Sequence, residues 1–300
     1  NEVPTWSADP MVSAPRPLPV EAASAAVQPL LDRIRGDFAP EAWDMLGEGL
    51  ARVVDYQDTA YGGEYLDAVA QVAQHDSVDI GHVLTIEAAR WMAVAMSYDD
   101  VIRVADLKTR AERFVRLRQE VGAQDAEVYG SVEYFHPRWP EVLGLLPRAW
   151  GLWLQARKAW CEWLGQRIDH GRRIHSNSVI GHMQLRLVAG LRRWRRGNFR
   201  HAIERAHWQN WLNTVKSLAQ KDKALAVEVL RCRRLIKGYS DTHERGNEKY
   251  ALLLQVAVPL CGEPGAAQTL AAWRELALRE VDSQALDKAM SSHFPRPGLG

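Results

Sequence analysis

Apolar residues recur at steps of three and four along almost the whole chain, from about residue 28 onward. Trp43, Leu46, Leu50, Val53 and Val54 set the pattern, and Tyr61, Tyr65, Leu66 and Val69 continue it. That spacing places side chains on one face of an α-helix, whereas a strand needs alternation at period two. Alternation is confined to residues 126–136, where Val128, Val132, Tyr134 and Phe135 surround Gly130 and Ser131. This segment predicts at most one short β-hairpin, closed off by Pro137 and Pro140. Strand signals are too few for a sheet-based domain. The predicted fold class is all-α, a multi-helix array rather than a simple four-helix bundle.

The spacing predicts a first long helix through residues 43–69, kinked or divided at Gly62-Gly63. A second runs from Val83 to Ala105 and a third from Lys108 to Val121. The longest pattern runs from Leu146 to Ile168 and stops at Gly171. Further helices are predicted near 178–195, 199–220, 222–236, 246–258 and 266–281. Residues 1–28, with Pro4, Pro10, Pro15, Pro17 and Pro19, read as a proline-rich linker or extended segment. Residues 29–295 form the helical domain, with a subdivision near 122–145, and 296–300 form a disordered tail. An opening on Asn1 followed by such a linker suggests the later part of a longer polypeptide.

Composition narrows the function classes. The chain has 38 basic and 37 acidic residues, so overall charge points to neither nucleic acid nor a membrane. No apolar run reaches the roughly 18 residues of a transmembrane helix, and no signal-peptide pattern opens the chain. Cys161, Cys232 and Cys261 are far apart and match neither a metal-binding spacing nor a disulfide framework, which fits a reducing cytoplasm. His170 with His175, and His201 with His207, miss the i, i+4 geometry of helix-borne metal ligands, so no metal site is predicted. Phosphate-binding glycine loops, a nucleophile elbow and a dinucleotide fingerprint are all absent from the sequence.

Two features stand out against this background. Of the twelve tryptophans, Trp150, Trp153 and Trp160 share a helical face and are expected in a core or at a domain interface. Trp163 lies off that face and is the better candidate for an outward contact. Between Arg167 and Arg205 there are ten arginines and only two acids, Asp169 and Glu204. Arg192, Arg193, Arg195, Arg196 and Arg200 are the centre of a candidate basic docking patch. Its arginines are spread around a helix and the following turn, which suits a solvated or internally paired face, or an acidic protein partner, better than a nucleic-acid stripe.

The second feature is the corner Lys237-Gly238-Tyr239-Ser240-Asp241-Thr242-His243-Glu244-Arg245-Gly246. Gly238 suits the left-handed end of a helix, and Asp241 with Glu244 three positions later suits a capping box for the next one. Lys237 stands near the negative end of the preceding helix dipole, and capping leaves Tyr239, His243 and Arg245 unexplained. Lys237, Tyr239, Asp241, His243 and Arg245 form a candidate polar interaction corner. Asp58, Arg103, Asp106, Lys108 and Arg110 are its candidate neighbours, either as networks that orient helices or as the lining of a shared groove. A pairing of His243 with Asp58 or Asp106 would suit a general base.

Three segments in order, Val54 to Tyr61, Tyr98 to Arg110 and the Lys237–Gly246 corner, carry a likeness. The chain resembles the C-terminal helical region of beta-subunit-like proteins of the bacterial indolepyruvate:ferredoxin oxidoreductase family, over roughly residues 40–260. The resemblance implies an enzyme that converts an aryl 2-oxoacid and coenzyme A into an acyl-CoA, carbon dioxide and reduced ferredoxin. It implies thiamine diphosphate and iron–sulfur clusters for the complete enzyme, and no cofactor or catalytic residue in this chain. It further implies an upstream Rossmann-like domain and a large catalytic subunit as partners, with ferredoxin as a third. The expected role is assembly, active-site cover or electron-carrier docking. The alternative is a helical protein-interaction scaffold unrelated to redox chemistry.

Overall fold

The computed structural model describes residues 16–122, 132–135, 138–168, 172–175, 178–236, 240–279 and 284–293. Of residues 121, 132–135, 158, 168, 172–175 and 240–243 it describes the backbone alone. The fold is an all-α multi-helix array, with fifteen α-helices among the described residues. It divides into two compact units, one made of the residues up to Ser97 together with those from Trp208 onward, the other running from Tyr98 to His207.

The larger unit opens with residues 16–27, which form no helix yet are held in place. The Leu18 amide donates to the Asp44 carboxylate at 3.0 Å, and the Arg35 guanidinium donates to the Val20 carbonyl at 3.0 Å. Helices α1 (Gln28–Asp37), α2 (Pro40–Tyr56), α3 (Thr59–Ala73) and α4 (Val83–Met96) follow. The long predicted helix is divided at Gln57-Asp58, not at the glycines, because the Asp58 carboxylate accepts the Tyr61 amide at 2.8 Å and caps a new helix. Gly62 and Gly63 lie inside α3. Apolar residues surround α4, which has nine of its fourteen residues buried and packs against α2 and α3. Tyr65 Oη donates to the Ala89 carbonyl at 3.0 Å and Tyr61 Oη to that of Met96 at 3.2 Å, so two core tyrosines reach the α4 backbone.

The chain returns to this unit along α11 (Phe199–Ala219) and continues through α12 (Lys223–Arg231), α13 (Ser240–Leu260), α14 (Ala266–Arg279) and α15 (Gln284–His293). Glu228, buried on α12, pairs with Arg231 at 2.7 Å and with Arg274 of α14, and Arg231 reaches Glu87 of α4 at 3.2 Å. This ion-pair network ties three helices together.

The smaller unit holds α5 (Val101–Thr109), α6 (Ala111–Val121), α7 (Trp139–Leu145), α8 (Arg148–Gln155), α9 (Lys158–Ile168) and α10 (Val179–Gly190). The predicted helix from Val83 to Ala105 is thus two helices, broken where Asp100 accepts the Arg103 amide at 2.6 Å. The strand expected near Val132 forms as β1 (Val132–Phe135), but not in a local hairpin. It pairs antiparallel with β2 (Arg172–His175), Val132 opposite His175 and Phe135 opposite Arg172. Val128 and the turn at Gly130-Ser131 lie outside the described residues.

Candidate docking face

The polar corner is less of a corner than its sequence implies. Helix α13 begins at Ser240, so Asp241 and His243 occupy its first turn and Asp241 does not stand at the cap position. Lys237 and Tyr239 lie outside the described residues, and the side chains of Asp241 and His243 are likewise outside them. Arg245 is exposed. The closing glycine has a clear packing role: a Cβ on Gly246 would overlap the Leu235 carbonyl oxygen, so only glycine lets α13 pass this close to the preceding turn. Just before the corner, buried Arg233 sits between two rings, its guanidinium 5.5 Å from the Trp211 centroid and 5.6 Å from that of Tyr250.

The candidate neighbours are engaged locally. Asp58 caps α3. Asp106 accepts Arg103 at 3.2 Å and Arg110 at 2.6 Å, both within one turn of it, while Lys108 is half-buried on the same helix. These side chains brace α5 and its junction with α6.

The basic segment is reordered more sharply. Arg195 is 1% exposed, which removes it from any surface patch. Its Nε donates to Asp100 at 2.8 Å and its Nη2 to the other oxygen at 3.1 Å, a forked pair between residues 95 apart in sequence. Arg200 pairs with Glu204 at 2.6 Å, and Arg192 and Arg196 make interactions of their own within the chain. Arg193 alone of the five stands exposed without a carboxylate among the described residues.

Beside the Asp100–Arg195 pair lies His201, buried, its Nδ1 3.2 Å from the Tyr98 hydroxyl. Burial first, then the charges of Arg196, Arg205 and Arg195, outweigh Asp100 and lower its pKa from 6.5 to about 4. A group whose folded pKa is depressed gives stability that is complete above its unfolded value and lost as pH falls through the folded one. The unit from Tyr98 to His207 should therefore lose on the order of 2–3 kcal/mol between pH 6.5 and pH 4. Urea unfolding across that range should show the loss in the parent chain and a flatter profile in His201→Gln; parallel profiles would exclude His201 as the cause.

The tryptophans overturn the expectation of a buried stripe. Trp150, Trp153, Trp160 and Trp163 are 67%, 50%, 56% and 50% exposed. The predicted long helix is broken at Ala156-Arg157 into α8 and α9, and the inward stripe lies one residue out of phase with the indoles. Leu154, Cys161 and Leu164 face a small core built on Trp139, Leu143 and Phe199. Gly151 is pressed so closely on the Phe199 ring that a Cβ there would overlap it. The outer side is left to the indoles. Trp153 and Trp160 meet edge to face across the break, with centroids 6.5 Å apart.

Guanidiniums lie over these rings. The Arg157 carbon is 3.8 Å from the Trp153 centroid, that of Arg167 is 4.2 Å from Trp163, and that of Arg193 is 5.6 Å from exposed Trp194. On the same unit, α10 leaves Val179, Ile180, Met183 and Leu187 exposed, while Gly181 and Leu185 are buried. Sequence reasoning selected Trp163 as the outward residue and missed its three companions, because a three-residue stripe of large rings reads as core.

Other sites offer less. A cavity of about 550 Å³ lies between Pro17, Pro19 and Val27 of the opening segment and Gly47, Leu50 and Val54 of α2, and its Arg16 and Glu48 are already paired at 2.6 Å. No group of three His, Cys, Asp or Glu side chains that could hold a metal ion occurs among the described residues, and burial pushes the Cys232 thiol up to about 12. Among the described residues no helix is long and apolar enough to cross a membrane.

Comparison with curated proteins and with solved structures finds no match. A family model does match, over residues 42–256, which takes in α3 to α12 and most of α2 and α13, including the tryptophan face. The chain belongs to that family, the family of unknown function DUF6537.

Proposed function

We propose that this chain is a non-catalytic docking region whose smaller unit binds another protein through the face formed by α8 and α9. The observation that carries this reading is the group of four half-exposed tryptophans, Trp150, Trp153, Trp160 and Trp163. Contiguous exposed apolar surface of this kind marks interaction sites in soluble proteins, and tryptophan is enriched among residues that dominate binding energy. The tryptophans rest on a small, closely packed core, so the face is held in place before a partner arrives.

The partner's identity rests on the sequence resemblance. On that reading the chain serves a cytoplasmic indolepyruvate-type 2-oxoacid:ferredoxin oxidoreductase beta subunit, in assembly, active-site cover or electron-carrier docking. Thiamine diphosphate, coenzyme A and iron–sulfur clusters belong to the remainder of the enzyme. Co-expression of the full chain with the large catalytic subunit of such an enzyme provides the test. Co-purification that Trp153→Ser with Trp160→Ser abolishes supports the oxidoreductase reading. No association with that subunit would leave the second reading, a docking scaffold unrelated to redox chemistry, which the same tryptophans favour.

A further inference from the structure

We infer that the partner presents an acidic protein surface, recognised by guanidiniums already stacked on the tryptophans of the docking face. This inference rests on the docking reading and adds the chemistry of what docks. Between residues 138 and 207 the chain has fourteen Arg and Lys against four Asp and Glu. Two of the five arginines of the predicted patch are neutralised inside the unit, by Asp100 on Arg195 and Glu204 on Arg200. What remains is outward. Arg148, Arg157, Arg167, Arg186, Arg193 and Arg205 are exposed, and none has a carboxylate partner among the described residues.

Two of these are pre-placed on the face, Arg157 on Trp153 and Arg167 on Trp163, and a third, Arg193, lies 5.6 Å from the centroid of exposed Trp194 beyond α10. A guanidinium lying on a ring face keeps its N–H groups at the ring's edge; one Nη of Arg157 donates to the Trp153 carbonyl at 2.8 Å, and the remaining donors are placed to meet a carboxylate. Stacking also restricts a long side chain in advance, so less rotamer freedom is lost on binding. The arrangement pairs an apolar surface with fixed cations. Its complement is a surface of carboxylates flanking apolar side chains.

The same geometry disfavours single-stranded nucleic acid. Non-specific binding of that kind relies on open aromatic faces for bases. Here one face of Trp153 and one of Trp163 are covered by guanidiniums, and Trp160 is turned edge to face on Trp153.

The test uses the full chain and three fluorescent probes: a Glu/Leu amphipathic peptide of about twenty residues, the same peptide with Gln for Glu, and an oligothymidine of similar length. The acidic peptide should bind, lose affinity steeply from about 50 to about 300 mM salt, and exceed the Gln peptide by about tenfold. Arg157→Gln, Arg167→Gln and Arg193→Gln combined should remove about tenfold of that affinity while circular dichroism and thermal unfolding stay unchanged. Equal binding of both peptides would overturn the acidic inference and leave the docking reading standing. Binding of neither peptide would overturn the docking reading itself. Tighter binding of oligothymidine than of either peptide would replace both with a nucleic-acid function.

Discussion

Asp100→Ala should destabilise the unit from Tyr98 to His207 by about 3–5 kcal/mol. Two losses combine. The carboxylate caps α5 by accepting the Arg103 amide, and losing such a cap costs about 1 kcal/mol. The same carboxylate holds both arms of Arg195, which is 1% exposed, so its removal takes the carboxylate from a buried cation. The second loss dominates, and it dictates the control. Replacing both partners, Asp100→Asn with Arg195→Met, should recover most of the stability, because the cost lies in burying the cation without this carboxylate more than in the pair. Urea unfolding followed by far-ultraviolet circular dichroism reads the difference. A loss below about 1 kcal/mol in Asp100→Ala, the range of a surface ion pair, would mean that Arg195 finds water or another anion.

Trp153→Ser with Trp160→Ser should give the reverse signature, with little change in stability and a large loss of binding. In a core, each tryptophan truncation would cost roughly 3–5 kcal/mol. With half of each side chain already in solvent, the expected change for the pair is within about 1 kcal/mol. At a binding hot spot the same truncation costs 2 kcal/mol or more, about thirtyfold in affinity. The outcomes are far enough apart to separate a misjudged core from a docking face. Titration with the acidic peptide, paired with thermal unfolding of the same samples, measures both. Collapse of the fold in this variant would return the indoles to the structural role that their spacing first suggested.

How much of this was legible in the sequence depends on what each signal specifies. Period-3.6 spacing determines that a segment is helical, and α11 and α14 coincide closely with their predicted ranges. Spacing alone does not determine which stripe faces inward when two stripes are both apolar. On α8 and α9, Leu154, Cys161 and Leu164 compete with Trp150, Trp153 and Trp160, and the smaller set takes the core because it fits beside Trp139 and Phe199. Helix breaks were misplaced for a related reason. Gly62-Gly63 looked like the interruption, yet Asp58 supplies a positive reason to restart a helix, whereas a glycine only weakens one.

The basic segment shows the limit most clearly. Nothing local distinguishes Arg195 from Arg193, and only the fold brings Asp100 to one and leaves the other beside Trp194. The polar corner was legible in part: Gly246 is required, but by the Leu235 carbonyl that approaches it, and Asp241 belongs to the first turn of α13.

On the docking reading, the indoles of α8 and α9 are covered when a partner binds. Oxidative footprinting of the full chain, alone and saturated with the acidic amphipathic peptide, tests it at the level of single side chains. Trp150, Trp153, Trp160 and Trp163 should oxidise readily in the free chain and become protected together in the complex, while exposed Val20 and Val78 in the other unit are unchanged. Binding with undiminished oxidation of these four tryptophans would contradict docking on this face, because the partner would then sit elsewhere.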